Sequence, residues 1–267
     1  EFVEKYHLNL SQDGTFNPRD IFGSHDDSDH VYNTPRAWYM ARCLNPSTMN
    51  WDGPDADFTP LSDDIPWCMV PEKKVTIEDV KYVLSSHFQG TPYDPYASYG
   101  DKSMKGAYRA IGVNRTDFLG IIQMRPDAGE DSRAIEWVAF ASNVFNTTAP
   151  FYTDVEKVPE YFSNTTGDAS TDNFYWASRM IAAMADASYS KSIFHIERYQ
   201  ERVMSKGHEY INQYDELLEK ESNAEKRMQL RQEANEKIAD MVKKETQDTL
   251  NKVLYELSNQ MKNAYSR

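Results

Sequence analysis

The helical period of the last hundred residues constrains the fold more than any other feature of this chain. From about residue 169 to 267, apolar side chains recur at spacings of three and four with charged residues between them, the pattern of helices buried along one face. Ser170-Thr171-Asp172 offers a cap, and Phe174, Trp176, Ala177, Ile181 and Met184 continue a face behind it. A second stretch carries Ile193, Ile196, Val203, Met204, Tyr210, Ile211 and Leu217. A third carries Ile238, Met241, Leu250, Val253, Leu254, Leu257 and Met261. Ser222-Asn223 between them predicts a break, so two long helices should form an antiparallel hairpin. Their heptads are too irregular for a coiled coil.

Such a helical layer needs a surface to bury itself against, and the preceding residues supply strands. Phe118–Met124 and Ile135–Ala141 are rich in β-branched and aromatic residues and flank the polar segment Arg125–Arg133, which predicts an antiparallel hairpin. Both are apolar at nearly every position, so both faces should be covered. Two strands alone are marginal, which points to further strands in a longer protein. Before them, Thr76-Ile77-Glu78-Asp79 has the signature of a capping box opening a helix whose face continues through Val80, Val83, Leu84 and His87, stopped by Gly90 and Pro92. Residues 1–75 are loop-rich, with one helix predicted over Pro35–Leu44 behind Thr34 as N-cap. The expected class is α+β, with an α+β portion over 1–168 and a helical region over 169–267.

Composition removes some functions. Net charge is −13, from 29 Lys+Arg against 42 Asp+Glu, a field that repels phosphate backbones and argues against nucleic-acid binding. No apolar run approaches the roughly 18–20 residues that span a bilayer, so no membrane partner is expected. The two cysteines, Cys43 and Cys68, form neither a disulfide framework nor a CxxC metal pair and read as buried thiols of a reducing, cytoplasmic protein.

Several motifs fail on inspection. His208-Glu209 lacks the second histidine of HExxH, since residue 212 is Asn. Gly23–His30 holds two histidines and three aspartates, but a solvated acidic loop explains them without a metal, and no cofactor is expected. What remains is polar residues in turn-forming context. Asn33, in Tyr32-Asn33-Thr34-Pro35-Arg36, precedes a proline-started helix, where its amide either donates to an oxyanion or merely initiates the helix. Arg109 and Arg115 stand at the entrance of a strand, suited either to a substrate carboxylate or to a surface ion pair.

Around these residues the chain resembles the dipeptidase A family of cysteine peptidases, to which the secernins are also similar. The resemblance rests on Tyr32–Pro46 (YNTPRAWYMARCLNP), Val75–Tyr96 (VTIEDVKYVLSSHFQGTPYDPY), Tyr108–Pro126 (YRAIGVNRTDFLGIIQMRP), Ile135–Tyr152 (IEWVAFASNVFNTTAPFY) and Asp172–Met180 (DNFYWASRM). It implies a four-layer αββα fold of the N-terminal-nucleophile type, dipeptide substrates, and a nucleophilic cysteine at the mature N-terminus whose α-amino group is the base. By analogy with related amidases, Asn33 is implied as oxyanion donor and Arg109 as a residue that orients the site or binds the substrate carboxylate, with Arg115 as second choice. Residue 1 is Glu, so the nucleophile segment is expected upstream and the chain alone is expected to be inactive. Strand edges left open should then recruit that segment or a second copy, making a homo-oligomer. The competing expectation is a non-catalytic helical interaction module that keeps the fold.

Overall fold

In the computed structural model, residues 1–263 are described except for 10, 12, 13, 24 and 25, and nothing is assigned to the side chains of 19 and 20. The chain forms two compact units: Glu1–Lys74 with Lys102–Arg109, and Val75–Asp101 with Ala110–Arg267. The change of texture near residue 168 lies inside the second unit.

The first unit carries the short helices α1 (Phe2–Lys5), α2 (Pro18–Phe22) and α3 (Asp29–Tyr32), then the longer α4 (Thr34–Leu44). α4 starts one residue earlier than the sequence predicts, with Asn33 rather than Thr34 at the N-cap. Pro35 stands in its first turn, where a missing N–H costs no hydrogen bond. α4 buries Trp38 and Tyr39, and the loop behind it buries Trp51 and Ile65. These indoles are large enough to form a core for a loop-rich segment, and both satisfy their N–H on carbonyls: Trp38 on Phe58 (3.1 Å) and Trp51 on Asn45 (2.8 Å).

The second unit begins with α5 (Ile77–Leu84), whose capping box is formed as the sequence predicts. Asp79 N donates to Thr76 Oγ1 at 3.1 Å, and Thr76 N donates to Asp79 Oδ2 at 3.0 Å. β1 (Phe118–Met124) and β2 (Ala134–Phe140) pair antiparallel with Phe118 opposite Phe140 and Met124 opposite Ala134. A strand the sequence analysis missed, β3 (Ala149–Tyr152), pairs on the other side of β2, so the order is β1-β2-β3. The short α6 (Glu160–Ser163) leads into α7 (Phe174–Ala187), α8 (Tyr189–Lys220) and α9 (Ala224–Ser258). The break falls at 221–223, where Asn223 Oδ1 accepts from Lys226 N at 3.0 Å and caps α9.

The side of β2 bearing Ile135 and Trp137 packs against α8 and α9, with Tyr199, Val203, Ile211, Ile238 and Val242 in one cluster. Gly207 lets α8 approach the sheet: a Cβ there would lie 2.6 Å from Pro150 Cδ. On the other side Phe140 packs against Phe162 and Phe174 and Phe151 is buried, so the face is covered over β2 and β3 but not over β1. Phe118, Ile122 and Met124 on β1 are 55%, 69% and 62% exposed. An apolar residue at every position of a strand does not specify which face meets the core. Leu217 and Leu254 likewise face outward, while Leu218 and Val253 are buried, because a one-residue shift on a helix rotates a side chain by about 100°.

Candidate active site

Arg109 lies 76 positions after Asn33 in sequence, and in the first unit it contacts the two residues that precede Asn33. Arg109 N donates to Val31 O at 3.0 Å, and its guanidinium lies 5.5 Å from the centre of the Tyr32 ring. Asn33 follows Tyr32 directly, at the junction of α3 and α4. Its side chain caps neither helix. The Asn33 Nδ2 group donates to Asp29, and Oδ1 accepts from Arg36 Nη2 at 2.7 Å. A carboxylate only accepts and a guanidinium only donates, so this pair of neighbours fixes the amide orientation. One Asn33 N–H remains for another acceptor, and the arginine on Oδ1 polarises the amide so that this N–H is a stronger donor.

Arg36 was not singled out from the sequence, though its position three residues after Asn33 on a helix start places the two side chains together. Its Nε also donates to Tyr32 O. Burial and the neighbouring Arg109 guanidinium hold Arg36 below the ordinary arginine range. Arg115 belongs to the second unit and is exposed.

A separate polar arrangement in the second unit has no counterpart in the sequence reading. Residues 141–152 are buried without exception although most form a loop, so their backbone groups need partners inside the protein. Lys81, 4% exposed, provides part of the answer: its Nζ donates to Asn143 O (2.6 Å), Asn146 Oδ1 (2.8 Å) and Ser85 Oγ (2.7 Å). Gln200 Nε2 reaches Val144 O and Asn146 O, and Asn146 Nδ2 reaches Phe140 O at 2.7 Å. Burial pushes the Lys81 ammonium down to about 7. A cavity of about 660 Å³ opens beside it, lined by Glu78, Lys81, His87, Glu197, Gln200 and His208 among others. There His87 Nδ1 meets Asp94 Oδ1 at 2.9 Å and Nε2 meets the Tyr189 hydroxyl at 3.3 Å.

Cys43 is half-buried and burial raises its pKa, which lowers the thiolate fraction. Cys68 is exposed, contrary to the expectation of two buried thiols: its Pro-bounded segment has no helical or strand period to turn it inward. Of the Gly23–His30 loop, Ser24 and His25 fall outside the described residues. His30 Nε2 pairs with Asp63 Oδ1 at 2.9 Å, and no three His, Cys, Asp or Glu residues converge among those described. No described helix is long and apolar enough to cross a membrane.

A model of peptidase family C69 matches residues 1–202. The chain belongs to that family. It is 45% identical over 304 aligned residues to a dipeptidase of Bifidobacterium longum, covering 99% of this chain and 57% of that protein. Identity is 44% to a probable dipeptidase A of Streptococcus pyogenes (100% and 54% covered) and 32% to dipeptidase A of Lactobacillus helveticus (96% and 52%). The chain thus spans about half the length of the curated relatives it matches. The matched segment contains Asn33, Arg36, Lys81 and Arg109.

Proposed function

We propose that this chain is part of a dipeptidase that hydrolyses the amide bond of dipeptides by covalent catalysis. The attacking cysteine stands at the mature N-terminus with its α-amino group as base, outside this 267-residue chain. Asn33 donates to the tetrahedral oxyanion and Arg109 binds the substrate carboxylate, with Arg115 the alternative. The observation that carries the reading is the Asn33 amide, locked between Asp29 and Arg36 with one N–H free and the Arg109 guanidinium over the adjacent Tyr32. A donor positioned before reaction needs no reorganisation when negative charge develops, and such a donor lowers the barrier by roughly 2.7–4 kcal/mol. The dipeptidase names of relatives at 43–45% identity support the substrate class, and a four-layer αββα fold would extend the three-stranded sheet from its exposed β1 edge. The two unpaired thiols suit a cytoplasmic setting.

The full natural polypeptide tests this directly. It should hydrolyse dipeptides and lose activity on alkylation with iodoacetamide, and the double variant Cys43→Ser, Cys68→Ser should remain both active and alkylation-sensitive. Full activity after complete thiol alkylation would overturn the cysteine mechanism. Loss of activity in the folded double variant would return the role to Cys43 or Cys68.

A further inference from the structure

Two guanidiniums, Arg36 and Arg109, stand together in a chain with a 13-charge excess of acid, yet neither has a carboxylate partner among the described residues. Arg36 uses Nε on Tyr32 O and one Nη2 hydrogen on Asn33 Oδ1. Of the five N–H groups a guanidinium carries, three stay uncommitted. Arg109 lies against the Tyr32 ring, and its Nε is buried without a hydrogen-bond partner. Two like charges held near one another are unfavourable in the free protein, and one anion with two oxygen acceptors removes that cost.

We propose that Arg36 and Arg109 together form a cradle for the free α-carboxylate of the substrate, so that the site is selective for a peptide ending one residue beyond the cleaved bond. This rests on the dipeptidase reading and deepens it: Arg36 both orients the Asn33 amide through Oδ1 and supplies carboxylate donors. One side chain then ties recognition of the substrate terminus to the oxyanion donor. A carboxylate seated on the pair would lie near the Asn33 donor, since Arg36 bonds that same amide. A C-terminal amide presents one oxygen and two N–H groups to donors that need acceptors, so it is rejected.

Two measurements on the full natural polypeptide separate this from the function it rests on. The first is the ratio of kcat/KM for a dipeptide to that for its C-terminal amide. Wild type should prefer the free acid strongly, and Arg36→Gln and Arg109→Gln should each lower the ratio by roughly 10- to 100-fold, the scale of a lost charge-assisted hydrogen bond. Damage to Asn33 affects both substrates alike and cancels in the ratio. Arg36→Lys, which keeps the charge and loses the fork, should recover only part of it. The second is binding without turnover: N-acetylglycine should shift the arginine Nε–Hε NMR signals lost in the two Gln variants, and N-acetylglycinamide should not. An unchanged acid-to-amide ratio in folded Arg36→Gln overturns the cradle while leaving the dipeptidase reading intact. Carboxylate binding at the pair in a protein without dipeptidase activity keeps the cradle and overturns that reading. Equal shifts with inorganic phosphate reduce the pair to a general anion patch and overturn the carboxylate assignment.

Discussion

Lys81 offers the most quantitative test of how this structure is held together. Its ammonium is buried with three acceptors and no carboxylate, and burial pushes its pKa from 10.5 to about 7. The unfolded chain therefore binds a proton between these values that the folded chain has released. Where the unfolded state holds more protons, stability rises with pH. Lys81 thus contributes most above 10.5, and that contribution is lost as pH falls toward 7. The full interval of 3.5 pH units corresponds to about 5 kcal/mol at 1.36 kcal/mol each. Between pH 7.5 and 9.5 the expected gain is about 2–3 kcal/mol.

Lys81→Met removes the titration while keeping an unbranched apolar side chain. Below pH 7 the two proteins should differ little, since losing a donor for three acceptors is offset by no longer burying a charge. As pH rises, wild type should pull ahead by about 2–3 kcal/mol. Urea unfolding of both proteins at pH 6.5, 8.0 and 9.5 measures this difference. Glu78, Glu197, Glu201, His87, His208 and Tyr82 line the same cavity, but they are present in both proteins and cancel to first order in the comparison. Parallel stability curves across this range would refute the assignment of Lys81 as a buried amine that discharges on folding.

Three further outcomes follow from other parts of the molecule. Asn33→Ala in the active polypeptide should lower kcat by roughly 10²–10³ with little change in KM, because an oxyanion donor acts mainly in the transition state; wild-type kcat in a folded variant would end that assignment. Gly207→Ala places a Cβ 2.6 Å from Pro150 Cδ and should cost about 1–3 kcal/mol, read as a lower urea midpoint with unchanged m-value. Ile122→Lys charges the exposed apolar face of edge strand β1 and should reduce self-association of this chain in light scattering without lowering its stability, whereas an unchanged mass would place any association elsewhere.

Local rules carried the sequence reading where the structure is local. The Thr76–Asp79 box and the Asn223 break were legible because a cap is satisfied by residues within one turn. The β1–β2 hairpin was legible to within a residue from its polar turn and flanking apolar runs. β3 was not, since Ala149-Pro150-Phe151-Tyr152 is short, lacks alternation and contains proline. Lys81 was invisible for a different reason. A lysine in an amphipathic helix reads as solvent-facing, and only the loop at 143–146, more than 60 residues away, shows why it is inside. Arg36 could have been found from its three-residue spacing to Asn33. Its nearness to Arg109 could not, because it depends on the backbone bond from Arg109 to Val31.

Hydrogen-bond accounting separates the two polar arrangements by what each can still do. The Lys81 ammonium has three N–H groups and three protein acceptors, so while protonated it has no donor left for a ligand and acts by fixing the buried loop. Asn146 is similarly committed, with Nδ2 near Phe140 O, Ala141 O and Asn143 Oδ1. Asn33 has two anchors as well, yet they use one N–H and the carbonyl oxygen, leaving one donor. Arg36 keeps three. Binding and oxyanion stabilisation both need donors that are positioned and unfilled. By that criterion Asn33 and Arg36 keep the donors that the proposed roles require, while Lys81 and Asn146 spend theirs on the buried loop of the second unit.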